Sequence, residues 1–269
     1  MIALEKFKGK NSELKFICVG LDTDLGKLPI HLKSLPKPIY EFNRAIIEKT
    51  WKHAAAYKLN FAFYERYGAE GFEILEKTVK LIPEDILIIG DAKRGDIGST
   101  SQMYAKAVFD YFKFDAVTLN PYLGEDSLLP FFIDPTRFNF VLALTSNPGA
   151  DDIQKLKLED GSFLYQRIIR KVRQWNKKNN CGIVFGATKA EELKENIRLI
   201  DELPVLLPGV GAQGGSLEEI LNIFKKENKF NFLINLSRSI IYKRSGLDFA
   251  EGAEEEIKKL NSTVNNVFA

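Results

Sequence analysis

Residues 90–100 read Gly-Asp-Ala-Lys-Arg-Gly-Asp-Ile-Gly-Ser-Thr and follow directly on the apolar run Ile86-Leu87-Ile88-Ile89. Asp91 and Lys93 are two residues apart, so on an extended strand both side chains point to the same side of the sheet and can pair. In a pocket, such a pair could steady a charge that develops on a bound molecule, or Lys93 could serve as a Schiff-base nucleophile. On an open surface it would be a turn ion pair, worth little and without function. Residues 208–215, Pro-Gly-Val-Gly-Ala-Gln-Gly-Gly, form a second candidate. They follow a short apolar run and could aim backbone N–H groups at an anion, with Arg238 just beyond the next such run. Glycines that only turn the chain into a helix are the alternative.

Other reactive side chains are scarce. His31 sits in a Lys/Pro-rich loop and His53 precedes an apolar run, so neither a histidine acid–base pair nor a histidine metal site is supported. Cys18 and Cys181, the only cysteines, lie in apolar segments and read as buried thiols of a reducing compartment, not as a disulfide. Walker and Rossmann phosphate loops are not found.

The elements that must position these residues recur in a regular order. Short β-branched or apolar runs are expected as strands at Phe16–Asp22, Ala55–Asn60, Ile86–Asp91, Ala116–Asn120, Phe140–Thr145, Gly182–Gly186, Val205–Pro208 and Phe232–Leu236. Amphipathic, helix-like stretches are expected near 40–53, 65–82, 99–112, 126–133, 162–179, 189–201, 216–227 and 249–265. In the second of these, Phe72, Leu75, Val79 and Ile82 recur at helical spacing. Strands that alternate with helices must pair in parallel, because each crossover returns the chain to the same edge. Eight such units favour a (β/α)8 TIM barrel, with an open doubly wound sheet as the other solution of the same pattern. No linker or composition shift divides the chain, so residues 1–269 are expected to form a single barrel domain.

Barrel chemistry sits at the C-terminal ends of the strands, and the polar residues collect there. Asp22 closes the first strand, Lys58 and Asn60 the second, Asp91 the third, Asn120 the fourth, and Thr145 and Ser146 the fifth; Gln213 follows the seventh and Arg238 the eighth. The stretch between Ser146 and Phe163 is long for a βα loop and is a candidate lid.

Lys and Arg total 38 against 36 Asp and Glu, and a net charge of +2 supplies no long-range field for a polyanion, so nucleic acid is not expected as a partner. The N-terminal Met-Ile-Ala-Leu-Glu-Lys-Phe-Lys is interrupted by charge before a signal-peptide core could form, and no apolar run approaches membrane-spanning length. A cytoplasmic protein that does not bind membranes is expected.

The pattern Asp-x-Lys-x-x-Asp-Ile-x-x-Thr at the third strand, with Gly-Leu-Asp at the first and a Lys near the end of the second, resembles the orotidine 5′-monophosphate decarboxylase family. So do Thr-Ser-Asn-Pro-Gly at 145–149, Pro-Gly-Val-Gly-Ala-Gln-Gly-Gly at 208–215 and Ser-Arg-Ser-Ile at 237–240, all in the family's order. The length and Asn-Pro-Tyr-x-Gly-x-Asp-Ser at 120–127 are similar to its longer branch, found in some bacteria and apicomplexans.

The resemblance implies a ribulose-phosphate-binding type of barrel and the decarboxylation of orotidine 5′-monophosphate (OMP) to UMP, the final step of de novo UMP biosynthesis. It implies no cofactor and no metal. Lys58, Asp91, Lys93 and Asp96 would form a charged tetrad, with Lys93 as the proton donor. Gln213 and Arg238 would hold the 5′-phosphate, Thr145 and Ser146 would lie near the pyrimidine, and Asp22 and Asn60 would contact the ribose or the adjoining charged network. Ile97, Thr100, Asn120, Pro208 and Asn235 complete the substrate-binding candidates. A homodimer is implied as well, because Asp96, Ile97 and Thr100 would reach into the partner's site.

Two rivals are weighed against this. Magnesium-dependent sugar-phosphate decarboxylases or synthases of the same superfamily carry a metal-ligating Glu where this chain has Lys58. A catalytically silent nucleotide-binding barrel is the other, since fold does not fix function.

Overall fold

The computed structural model describes residues 1–211 and 214–269. Strands β1 (Ile17–Gly20), β2 (Ala56–Asn60), β3 (Leu87–Arg94), β4 (Ala116–Leu119), β5 (Phe138–Leu144), β6 (Cys181–Phe185), β7 (Val205–Pro208) and β8 (Phe232–Leu236) each pair in parallel with their sequence neighbours. Pairing of β1 with β8, Cys18 opposite Asn235, closes the barrel and excludes the open sheet.

Alternation along each strand separates two apolar layers. Ile17, Val19, Tyr57, Leu59, Ile88, Val117, Val141, Ile183, Phe185, Val205, Leu207, Ile234 and Leu236 face outward into the layer shared with the helices. Cys18, Ala56, Leu87, Ile89, Ala116, Phe138, Phe140, Val184, Leu206 and Leu233 fill the interior. Small residues on β1, β2 and β4 leave room for the two phenylalanines of β5, so the interior is packed and not a pore.

The lower end is stoppered by α1 (Ala3–Ser12), an element not expected from the sequence. Its Ala3 and Phe7 join the interior cluster, and full burial of one such phenylalanine stabilises by roughly 1.5–3 kcal/mol. Lys6 reaches both carboxylate oxygens of Asp115 at 2.8 Å, with both residues buried.

The outer layer comprises α2 (Pro38–Thr50), α3 (Ala62–Glu65), α4 (Gly68–Val79), α5 (Gly98–Lys106), α6 (Leu129–Phe132), α7 (Ala150–Ile153), α8 (Leu164–Trp175), α9 (Ala190–Ile200), α10 (Leu217–Lys226), α11 (Arg238–Ile241) and α12 (Phe249–Phe268). The helix expected over 65–82 is α4, which starts at Gly68 with φ +60° and ends at Val79; the short α3 just before it was not expected. Gly71 then lets α4 press on α3, since a Cβ there would lie 1.8 Å from the Tyr64 carbonyl oxygen. Phe72, expected on the buried face, is 36% exposed and leans on Phe112 instead. The stretch expected over 99–112 is α5 followed by a π-helical turn, Ala107–Tyr111. Among the described residues, no helix is long and apolar enough to cross a membrane.

Candidate active site

The inward column of each strand, followed upward, ends in polar residues. Two steps beyond Ala56 is Lys58; two beyond Ile89 is Asp91, then Lys93; two beyond Ala116 is Thr118; two beyond Leu233 is Asn235. These side chains meet at the C-terminal mouth around a cavity of about 300 Å³, lined also by Asp22, Asn60, Thr145, Ser146, Pro208 and Arg238, over an apolar floor of Leu142, Val184 and Leu206. A larger hollow of about 1040 Å³ lies at the opposite end beside α1. Most of its charges are matched in pairs, Arg173 to Asp201 at 2.9 Å and Lys229 to Glu202 at 3.7 Å. Chemistry, not size, locates the site.

Charges alternate along the rim. Lys58 Nζ lies 2.8 Å from Asp91 Oδ2 and 3.5 Å from Asp22 Oδ1, and Lys93 Nζ lies 2.6 Å from Asp91 Oδ1. Burial by itself would push the Asp91 carboxyl upward, but the two ammonium groups and their hydrogen bonds outweigh it and hold Asp91 well below the usual carboxylate range. Burial by itself would likewise lower Lys58, and the Asp22 and Asp91 carboxylates overcome that and raise it. Lys58 and Asp91 are therefore both charged at neutral pH. Cys18, one step below Lys58 in the interior, is pushed up to about 12 by burial and remains a thiol.

Lys93 is held in unusual backbone. Its φ is +49°, in the left-handed region that costs an L-residue about 1–2 kcal/mol. The ladder explains this conformation: Gly90 is opposite Val117 and Arg94 opposite Leu119, so four steps along β3 match two along β4 and the chain bulges between them. The Lys93 N–H turns to the Thr118 hydroxyl at 3.0 Å, and that hydroxyl donates to Asp91 Oδ1 at 2.9 Å. The expected strand ended at Asp91; the bulge carries it three residues further.

Asp96, Ile97, Thr100 and Asn120 are not brought to this cavity. Gly95 is pressed on the Asn120 carbonyl oxygen, where a Cβ would stand 2.5 Å away, and the chain leaves the mouth at that point. Asp96 accepts a hydrogen bond from the Ile97 N–H at 2.7 Å and, among the described residues, makes no ion pair. Within one chain the tetrad expected from Lys58, Asp91, Lys93 and Asp96 is thus incomplete, and the fourth charge beside Lys58 is Asp22. Ile97 is 63% exposed and Thr100 is exposed. Asn120 is exposed and caps the turn Pro121–Leu123 through the Tyr122 N–H.

The end of the cavity expected to hold a phosphate is built from β7 and β8. Arg238 is the first residue of α11 and, among the described residues, makes no ion pair; Gly209 and Val210 line the cavity beside it. Gly209 and Gly211 adopt φ +104° and +72°, which turns the chain in a way an L-residue resists. Gln213 lies outside the described residues. Gly20 has no side chain where a Cβ would strike Ser237 Cβ at 2.8 Å, so β1 and the end of β8 close against each other.

Thr145 is tied to the candidate lid: Gln154 accepts its N–H at 2.7 Å and donates to its hydroxyl at 2.9 Å. Sequence reasoning missed Thr118, Gln154 and Ser237, and also the floor of Leu142, Val184 and Leu206. Thr118 could have been found by counting alternate residues from Ala116.

A family model described as orotidine 5′-phosphate decarboxylase / HUMPS family matches residues 15–251. The chain belongs to this family. It is 45% identical over 255 residues to the orotidine 5′-phosphate decarboxylase of Flavobacterium johnsoniae, covering 94% of this chain and 93% of that one. Its structure is similar to that of Leishmania donovani OMP decarboxylase, with a TM-score of 0.83 and 33% identity over 97% of this chain and all of the other. It is also similar to Leishmania donovani UMP synthase, with a TM-score of 0.84 and 34% identity, where 97% of this chain spans 57% of that longer one.

Proposed function

We propose that this member of the family decarboxylates OMP to UMP, the last step of UMP biosynthesis, without a cofactor. The observation that carries the reading is the row Asp22, Lys58, Asp91 and Lys93, alternating in sign at the barrel mouth with an ammonium at its open end. Cleavage of the bond from C6 to the carboxylate releases CO2 and leaves the electron pair in the plane of the pyrimidine, where the ring carbonyls cannot delocalise it. The Lys93 ammonium stabilises that pair and then donates its proton to C6, to be reprotonated from solvent. Asp91 fixes the ammonium and is assigned a place beside the substrate carboxylate, where its negative charge favours loss of CO2. Arg238 suits the 5′-phosphate because a planar guanidinium meets two oxygens at once, and Gln213 is assigned to the same phosphate. Asp22 and Asn60 are assigned to the ribose, with Pro208 and Asn235 in the same wall, and Thr145 and Ser146 to the base. Phosphate binding that closes the stretch 146–163 would use remote binding energy at the reacting carbon.

A homodimer belongs to this reading, in which Asp96, Ile97 and Thr100 complete the site of a second copy. In its support, Asp96 makes no ion pair in its own chain among the described residues, and the loops and helix after the adjacent strands β3 and β4 expose Ile97, Met103, Tyr122 and Leu123. Exposed apolar side chains on these neighbouring elements suit burial against a second copy. The cytoplasm suits two buried cysteines with no disulfide.

A magnesium-dependent relative is disfavoured by Lys58, whose ammonium stands between Asp22 and Asp91, the carboxylates a cation would need. The deciding measurement is the loss of absorbance as purified, chelator-treated protein converts OMP to UMP. Turnover that persists in EDTA is expected. Turnover abolished by EDTA would favour the metal-dependent reading, and UMP binding without turnover the silent barrel.

A further inference from the structure

Thr118 is not among the residues that the charged row requires, yet it is the side chain through which two of them are joined. It sits on β4, 2% exposed, with its hydroxyl at the bulge of β3. That hydroxyl has one proton and can accept, and both capacities are used: it accepts from the Lys93 N–H at 3.0 Å and donates to Asp91 Oδ1 at 2.9 Å. The Lys93 N–H needs such a partner. In a regular parallel ladder the neighbouring strand's carbonyls would serve the β3 amides, but β3 advances four residues where β4 advances two, and Lys93 falls in the excess at φ +49°. A buried amide without an acceptor is costly, so the hydroxyl stabilises a backbone conformation that lysine otherwise resists. The same hydroxyl takes one lone pair of Asp91 Oδ1, the oxygen that also holds the Lys93 ammonium at 2.6 Å, while Oδ2 faces Lys58. The Asp91 carboxylate is thereby held at both oxygens and cannot rotate without breaking one of three bonds.

We propose that Thr118 is a positioning residue for the decarboxylation: by bonding the Lys93 backbone and the Asp91 carboxylate through one hydroxyl, it sets where the ammonium stands over the substrate. The inference rests on the function proposed above. It goes beyond that function by assigning the geometry of the ammonium to a neutral residue on a neighbouring strand. The Thr118 side-chain hydrogen bonds go to Lys93 and Asp91 and not to the residues assigned to the phosphate or the ribose, so its loss should act on turnover and not on nucleotide affinity.

The test compares Thr118→Val, which keeps the shape and loses both hydrogen bonds, with Thr118→Ser, which keeps the hydroxyl and loses a methyl group. Thr118→Val is expected to lower kcat by about ten- to hundred-fold with KM and the UMP dissociation constant within about three-fold of the parent, as for a misplacement on the scale of an ångström. Thr118→Ser is expected to restore kcat to within about three-fold of the parent. Parental kcat in Thr118→Val would overturn the proposal, and so would a serine variant as slow as the valine variant, which would make the effect one of packing. UMP binding by both variants verifies that the site has folded. An inactive parent would instead refute the assigned function, so the two failures are separable.

Discussion

Replacing Lys93 by alanine or by glycine should separate catalysis from folding almost completely. The ammonium is 2.6 Å from Asp91 but its side chain is 49% exposed, so after solvent screening the pair adds only about 0–1 kcal/mol to stability. Lys93→Ala leaves the backbone at the same positive φ and should lose no more than that. Lys93→Gly relieves a left-handed strain of about 1–2 kcal/mol, against about 0.5–1 kcal/mol of added unfolded-state freedom. Its stability should therefore stay within about 1.5 kcal/mol of the parent. Catalysis loses two contributions at once. A missing general acid costs about 10²–10⁴ in rate, and a missing preorganised charge about 10²–10³. Their product is about 10⁴–10⁷, or roughly 5–10 kcal/mol of barrier. Urea unfolding gives the first quantity, and the decline of OMP absorbance at high enzyme concentration gives the second. Turnover within about 100-fold of the parent in either variant would refute the role assigned to the ammonium. A stability loss above about 3 kcal/mol would refute the account of the bulge.

Lys6→Met should destabilise by about 3–5 kcal/mol in urea unfolding, because Asp115 is left buried with only the Ile88 N–H. Lys6→Met combined with Asp115→Asn should recover most of that loss, and a double variant no more stable than the single one would show that α1 is held by packing alone. Cys18 and Cys181, both raised to about 12 by burial, should resist a thiol reagent at pH 8 in the native protein and react once it is unfolded. Rapid labelling of the folded protein would contradict this. The proposed dimer predicts complementation. When inactive Lys93→Ala and Asp96→Ala chains are mixed and re-equilibrated, roughly a quarter of the sites combine an intact Lys93 with a partner's intact Asp96. Activity should return to about that fraction, and a mixture as inactive as its parts would rule the shared site out. Asp91, whose folded carboxyl is held below its ordinary value, binds a proton more readily in the unfolded chain. Its contribution to stability is complete above the ordinary carboxylate range near pH 4 and is lost as pH falls toward the folded value. An acid-unfolding midpoint that moves to lower pH in Asp91→Asn would be the opposite of what is expected.

Alternation and order were legible without coordinates. All eight strands were expected in place, and β7 and β8 match to the residue, because strands buried on both faces are short apolar runs bounded by polar ends. The ends of β1 and β3 were not legible. Hydropathy cannot show that β3 continues through Asp91 and Lys93 to Arg94, since polar residues in a pocket look like polar residues in a loop. The stoppering helix α1 was missed for a related reason: most of its residues are polar or charged, and the burial of Lys6 depends on Asp115, which is remote in sequence. Phe72 shows the converse error, an apolar residue at helical spacing that lies at the edge of the buried face of α4 and rests on Phe112.

The order of residue types in the chain determined that a closed parallel barrel would present Asp22, Lys58, Asp91 and Lys93 at one end, because side-chain parity follows from strand geometry alone. Which charges actually touch was decided only in three dimensions. The bulge opposite Val117 and Leu119 rotates Lys93 onto Asp91, and the close contact of Gly95 with Asn120 sends Asp96 out of its own mouth. Both depend on the register between neighbouring strands, a relation between distant parts of the chain that no local pattern records.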